Sequence, residues 1–491
     1  MRDLMVGASL VLLPLASAVA QSLPEGLMSP GSSDLQGVVQ RSISTNPEVQ
    51  AAWQAFQAAG YDRRAAWGNY LPSLDASAGV GREDRERDGR GSYDTDYAEL
   101  TLSQMIYDGF ATSSEVERLD RAELVRYYEL LDASETTSLE AVRAYLDVQR
   151  YRELVRLAQE SYRKHLEVFN QIEARALSGA GRGVDLEQIS GRLALAESNL
   201  MTEASNLHDV TARYQRIIGE LPSTSLAPAP AFGDRLPGDV SEALNLAFQG
   251  NPEFHAAIEN IAATRAERRA SQAAFHPQLD LVARTGTYQD SDSGTALNSD
   301  SRQDRSSIEL VASMNLYRGG SDLASFRAAS ERVEQSIDLR EKACVDVRQT
   351  TQIAYNDSQR LREQLAYLNQ HRLSTNRVRG AYQQQFDIGQ RSLLDVLDTE
   401  NEYFESSRAY VNAQFDVALA DARTLAATGR LMQVLDVRRS DMPTLAELGS
   451  DGVSLDPETI CPAPGPGGYT LSDFTRGITA SSSQSSDATM Q

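Results

Sequence analysis

The residues best placed to do chemistry in this 491-residue chain act on charge rather than on bonds. Gly179 is followed six positions later by Asp185, and Gly389 six positions later by Asp395, with Asp398 three residues beyond. Glycine permits a sharp turn, and an aspartate at the start of the next helix can cap its free N–H groups. Asp395 and Asp398 stand one turn apart on the same helix face. Two carboxylates so placed concentrate negative potential, attract cations and raise each other's proton affinity. Bond-making chemistry has no comparable candidates. The sequence holds no GxSxG nucleophile turn, HExxH helix or Cys/His metal spacing, so no enzyme, metal site or cofactor is predicted. Gly179, Gly181 and Gly183 superficially resemble a phosphate loop, but no lysine follows and no strand precedes them; a helix-hairpin turn fits better. The five histidines are scattered, and two cysteines, Cys344 and Cys461, do not make a disulfide framework.

The elements that must position these residues are written twice. Asn46-Pro47-Glu48 returns as Asn251-Pro252-Glu253, and Pro72 returns as Pro277, both 205 positions later. Beyond the next charged stretch the offset becomes 210, pairing Tyr107 with Tyr317, Gly179 with Gly389, Asp185 with Asp395 and Gly219 with Gly429. A constant offset changed once by five residues marks a tandem duplication with one lengthened loop, and the change falls in the Ser/Asp/Asn/Gly-rich stretch 289–305.

Each repeat opens with a helical stretch, 36–69 and 241–274, interrupted by its Asn-Pro. The period then changes to two. Leu74, Ala76, Ala78 and Val80 alternate with Ser73, Asp75, Ser77 and Gly79; Ala98, Leu100 and Leu102 do the same. Leu279, Leu281 and Ala283, then Ile308, Leu310, Ala312, Met314 and Leu316, repeat the pattern in the second half. Four strands of about ten residues suit a tilted crossing of hydrocarbon. A small sheet on a soluble core is the alternative. Four strands cannot close a membrane barrel alone, so several copies must contribute to one wall. After each hairpin comes a helix of about 68 residues, 111–178 and 321–388, on the order of 100 Å long, with Leu139, Val142 and Leu146 at packing-seam spacing. Return helices come next, at 185–218 and 393–430.

The expected division is therefore a signal peptide 1–20; a first repeat 21–219 with β-hairpin 72–106 and long helical hairpin 110–218; a linker 220–240; a second repeat 241–430 with β-hairpin 277–316 and helical hairpin 321–430; and a largely disordered tail 431–491. The apolar run from Leu4 to Leu15 before Ala18-Val19-Ala20 carries the signal reading. A net charge of −22 argues against nucleic acid and anionic membrane surfaces as partners.

Taken together, these residues resemble the TolC family of outer-membrane efflux and type I secretion channels. The duplication, the two Asn-Pro-Glu openings, Leu71-Pro72 and His276-Pro277 entering strands, and Tyr107-Asp108-Gly109 and Tyr317-Arg318-Gly319-Gly320 leaving them carry the likeness. Arg182 to Gln188 and Ser190-Gly191-Arg192-Leu193-Ala194 look most like the type I branch, which exports large adhesins and repeat toxins. The resemblance implies mixed α and transmembrane β architecture: a homotrimer with a twelve-stranded β-barrel in the outer membrane, four strands per protomer, continued into the periplasm of a Gram-negative bacterium by an α-helical coiled-coil barrel. It implies carboxylates at Asp185, Asp395 and Asp398 around the closed entrance, Arg391 tying neighbouring hairpins together, and adaptor docking at the Gly179 and Gly389 turns. Phe386 stands at an entrance position where efflux members often carry tyrosine, and Val184 where some carry a hydroxyl. The partners implied are a periplasmic membrane-fusion adaptor and an inner-membrane ABC transporter. A proton-driven efflux pump is the alternative partner, and a pore-less periplasmic coiled-coil protein the alternative class.

Overall fold

The computed structural model describes residues 33–87, 90–179, 181–292, 301–452 and 473–475; the expected signal peptide lies outside them. Helices α1 (Leu35–Thr45) and α2 (Pro47–Gly68) open the first repeat. They are separate because Pro47 removes an N–H and Asn46 caps the second helix, its side chain accepting from Glu48 N at 2.9 Å. The hairpin β1 (Ser73–Arg87) and β2 (Arg90–Tyr107) leads into α3 (Ala111–Leu177) and α4 (Gly183–Ile218). The second repeat runs α5 (Val240–Gly250), α6 (Pro252–Gln272), β3 (Gln278–Asp292), β4 (Ser301–Ser313), α7 (Ser321–Asp387) and α8 (Leu393–Ala427), with Asn251 and Pro252 repeating the break. A short α9 (Leu431–Val434) closes the series.

The strands form one antiparallel sheet in the order β1-β2-β3-β4. Register places Leu74 opposite Leu102, Leu102 opposite Ala283, and Ala283 opposite Ile308, so the alternating apolar residues of all four strands share a face. That face is open: Leu74, Ile308 and Leu310 are all exposed. The opposite face is polar, with Arg284 paired to Glu309 at 3.2 Å and the Tyr288 hydroxyl donating to Glu99. One face suits hydrocarbon and the other a water-filled bore. The strands have 13 to 18 residues rather than about ten, because backbone pairing continues past the apolar band into polar sequence. Conversely, β4 ends at Ser313, opposite the first residue of β3, so Met314 and Leu316 have no in-chain strand to pair with.

The two 67-residue helices are treated differently. Helix α3 is buried among α1, α2, α4, α6 and α8, whereas α7 packs chiefly on α5, α6 and α8. Leu339, Ile353 and Tyr367 of α7, spaced by two heptads each, therefore remain exposed and form a flank that further copies would cover. The largest core lies midway along α3, where Val142, Tyr145 and Leu146 meet Val38 and Ile43 of α1, Tyr214 and Ile218 of α4, and Leu425 of α8. The described stretch 431–452 differs from the disorder expected of it. Leu431, Met432, Leu435 and Val437 enter this same core, and Met442, Leu445 and Leu448 cover Val49 and Phe56. Their apolar spacing is sparse within a polar stretch, but they pack into clusters built by helices of both repeats. Cys344, buried beside Phe254 and Val347, is disulfide-bonded; Cys461 lies outside the described residues.

Burial also perturbs charge. Glu135 of α3 accepts the Met432 N–H at 3.3 Å, yet desolvation dominates and pushes its carboxyl up to about 8. With the folded value above the ordinary 4.5, the folded chain holds the extra proton between those limits. This stabilising contribution is complete below about 4.5 and lost as pH rises through 8. Glu135→Gln is expected to leave the thermal midpoint nearly unchanged at pH 5 and to raise it by about 2 °C or more at pH 8.5, read by circular dichroism in detergent. The repeat-related glycines offer a second test. Gly219 and Gly429 both end return helices with positive φ, at 87° and 66°. A Cβ on Gly219 would meet nothing within 4 Å, but one on Gly429 would strike the Gly250 carbonyl oxygen. Gly219→Ala should cost about 1–2 kcal/mol, and Gly429→Ala at least about 3 kcal/mol, measured as loss of midpoint; equal losses would refute the contact.

Candidate functional site at the helix tips

The ends of α3 and α7 and the starts of α4 and α8 converge at the pole far from the sheet. Each hairpin turns on a glycine in the left-handed region, Gly179 at φ 75° and Gly389 at φ 77°. In the first turn, Gly181 N–H donates to the Arg175 carbonyl at 2.8 Å, and an added Cβ would strike the Ala176 backbone. The triple glycine is thus a helix-ending turn and not a phosphate cradle.

The two return helices begin by different chemistry. In the second repeat Ser392 is the N-cap and forms a reciprocal box with Asp395: Ser392 Oγ accepts from Asp395 N at 3.3 Å, while Asp395 Oδ2 accepts from Ser392 N at 3.1 Å. The Ser392 hydroxyl also donates to that carboxylate, at 2.8 Å. These bonds from Ser392, with a smaller contribution from Arg391, hold the Asp395 carboxyl below its ordinary value. Within one protomer its proton affinity is therefore lowered, where mutual repulsion between copies would raise it. In the first repeat the matching N-cap is Arg182, which supplies no side-chain cap, and Asp185 makes no capping hydrogen bond. The reciprocal box of the second repeat has no counterpart here, since Arg182 lacks the hydroxyl that would accept the Asp185 N–H.

The other expected residues divide between core and surface. Phe386 is buried, not lining an entrance: it packs with Val168 and Ile172 of α3, Ile189 of α4, and Val396 and Leu397 of α8. It is the apolar knot joining all four helix ends, with Arg175 over its ring at 5.5 Å. Arg391 is engaged within its own hairpin, donating from Nε to Gln385 Oε1 at 3.0 Å, stacking over Tyr382 at 4.3 Å and standing 4.0 Å from Asp395. Asp398 projects toward the first repeat, where Arg192 Nη2 meets its Oδ1 at 2.6 Å. Sequence reasoning placed Arg192 in a family-like stretch without giving it this role. Only its partner across two repeats reveals it.

Beyond the knot, Leu177, Val184, Ile388 and Leu394 are exposed around the two turns. Such an apolar crown marks a protein-docking surface more than a small-molecule pocket. No group of three or more potential metal-ligating side chains occurs among the described residues, and no described helix is long and apolar enough to cross a membrane.

Comparison with known proteins agrees with this architecture. The model of the outer membrane efflux protein family matches residues 38–220 and 243–430, one segment per repeat. The chain is similar to outer membrane efflux protein BepC of Brucella suis, 26% identical over 332 residues, covering 68% of this chain and 72% of the relative. It is likewise similar to alkaline protease secretion protein AprF of Pseudomonas aeruginosa, 26% identical over 403 residues, covering 78% and 81%. Among solved structures, the Campylobacter jejuni CmeC outer membrane channel superposes with a TM-score of 0.73 at 16% identity, covering 81% of this chain and 86% of that one. The family match over both repeats removes the pore-less periplasmic alternative and any enzymatic role. The chain belongs to the outer membrane efflux protein family: it is a TolC-family outer-membrane channel, trimeric and twelve-stranded in its barrel, reaching into the periplasm to work with an adaptor and an inner-membrane transporter.

Proposed function

We propose that this channel is the exit duct of type I protein secretion, taking large polypeptides from an ABC transporter through a periplasmic adaptor, and that it is shut at rest by its helix tips. The observation that carries the reading is the tip itself. Two hairpins end together on one apolar knot, with exposed apolar residues beyond it and exposed carboxylates on α8, which suits a docked helical partner and a movable iris. Energy then comes from the transporter. The choice of protein cargo rests on residues 182–194, which build the turn into α4 and look like the type I branch, and on the similarity to a relative named for protease secretion. A drug-efflux channel serving a proton-driven pump is the second reading, favoured by the likeness to a relative named as an efflux protein.

In this reading Asp395 and Asp398 face the entrance, with Asp185 beside them, while Arg391 stands ready to meet a neighbouring hairpin and the Gly179 and Gly389 turns meet the adaptor. Deleting the gene and comparing surface and secreted proteins with drug sensitivity separates the two cargos. Loss of one giant surface protein with unchanged drug sensitivity is expected; drug hypersensitivity with normal secretion would favour efflux. Replacing both Asp395 and Asp398 by Ala should weaken multivalent-cation block of single channels by about tenfold or more, and unaltered block would remove both from the entrance.

A further inference from the structure

We propose that Arg192 sets the charge of the entrance by neutralising Asp398 across the seam between the two hairpins, leaving Asp395 as the carboxylate that each protomer presents to cations. The inference rests on the proposed placing of these carboxylates at the entrance. It starts from the 2.6 Å contact between Arg192 Nη2 and Asp398 Oδ1 and from what the duplication did to those positions. At the offset of 210, Asp398 corresponds to Gln188 and Arg192 to Glu402. The first repeat thus carries a neutral residue and a base where the second carries two acids. Divergence after duplication placed a cation on α4 opposite an anion on α8, although a symmetric pair of hairpins would have left acid facing acid.

The two tip carboxylates are consequently unlike. Asp395 is engaged by hydrogen bonds from Ser392, and its nearest cation, Arg391, stands 4.0 Å away while stacked on Tyr382. Hydrogen bonds of this kind favour the charged form without cancelling the charge. Asp398, by contrast, has a full opposite charge in direct contact. Around a threefold axis, Asp395 would provide three negative charges and the Asp398–Arg192 pairs close to none.

The seam has a second rung, whose environment differs. Farther from the tip, Arg408 of α8 meets Glu203 of α4 at 2.9 Å, with the polarity reversed and the glutamate side chain only 3% exposed. The Asp398 side chain is 55% exposed. Breaking the inner pair would strand a charge away from water, whereas the tip pair can separate into solvent at little cost. The geometry therefore lets the hairpins part at the tip while the inner rung holds. Parting exposes Asp398 and adds three negative charges to the mouth, so the open entrance is more anionic than the closed one.

The test uses purified full-length trimers in planar bilayers, with hexaamminecobalt(III) added on the periplasmic side. Arg192→Ala is expected to lower the blocking concentration about tenfold, the double variant Arg192→Ala with Asp398→Ala to leave it within about twofold of wild type, and Asp395→Ala to raise it at least about tenfold. The charge swap Arg192→Asp with Asp398→Arg should restore wild-type block, which a merely structural role for either side chain would not. If wild-type channels are blocked but Arg192→Ala changes nothing, or the double variant Arg192→Ala with Asp398→Ala weakens block as much as Asp395→Ala, the masking inference is overturned and the entrance reading survives. If neither wild type nor Arg192→Ala is blocked, both fall together.

Discussion

An open sheet edge has no water to turn to inside a hydrocarbon layer, and each lost backbone hydrogen bond there costs several kcal/mol. This chain contributes four strands with β1 and β4 at the margins, so one copy cannot be a finished membrane object. The rest of the architecture stems from that shortage. Copies must meet edge to edge, and the helices that continue the hairpins are then brought side by side around the same axis. The exposed flank of α7 at Leu339, Ile353 and Tyr367 is the helical counterpart of the open sheet edges, a surface whose burial awaits the neighbouring protomer. Trimerisation and pore formation are one event in this design, because the same contacts that satisfy the strands also enclose the bore.

Duplication supplied the second half of each wall, and divergence gave the halves different work. Helices of equal length lie in different environments, α3 inside the protomer and α7 at its margin. The same asymmetry recurs in small devices. Ser392 caps its helix where Arg182 does not. Gly429 is wedged against Gly250 where Gly219 stands free. At the midpoint, the chain past the second repeat folds back into the first, and the Met432 N–H reaches the Glu135 carboxyl. That closure ties the end of the second repeat to the middle of the first and gives the long helices one thick, well-packed waist. Buried acids gather there. Asp421 is met by Arg362 and Ser358, and Asp147 by Arg143, Arg150 and Arg213. Such pairs add little net stability over apolar packing, but losing one partner is costly, which makes them devices of register.

The tips invert the balance found at the waist. Their core is a single small cluster around Phe386, their ion pair is half in water, and their outermost side chains are apolar and bare. Contacts along α8 grade from buried at the waist to exposed at the tips, so separating the helix ends costs less than separating the shaft, as the proposed gate requires.

Much of this architecture is written in local pattern. The two-residue alternation located the strands and their apolar face, because register in a sheet repeats every second residue whatever lies beyond it. The Asn-Pro breaks and the glycine turns were legible for the same reason, since φ limits and missing N–H groups act within a few residues. The repeat offset determined that the chain is two copies of one plan. Tertiary structure alone decided what depends on residues far apart. It moved Phe386 from the expected entrance to the knot, drew the segment from Leu431 to Val437 out of a tail expected to be disordered into the core, and set Arg192 against Asp398 across 206 positions. Side-chain partners of that kind are fixed by how helices lie against one another, and no periodicity within a single helix records which neighbour it will face.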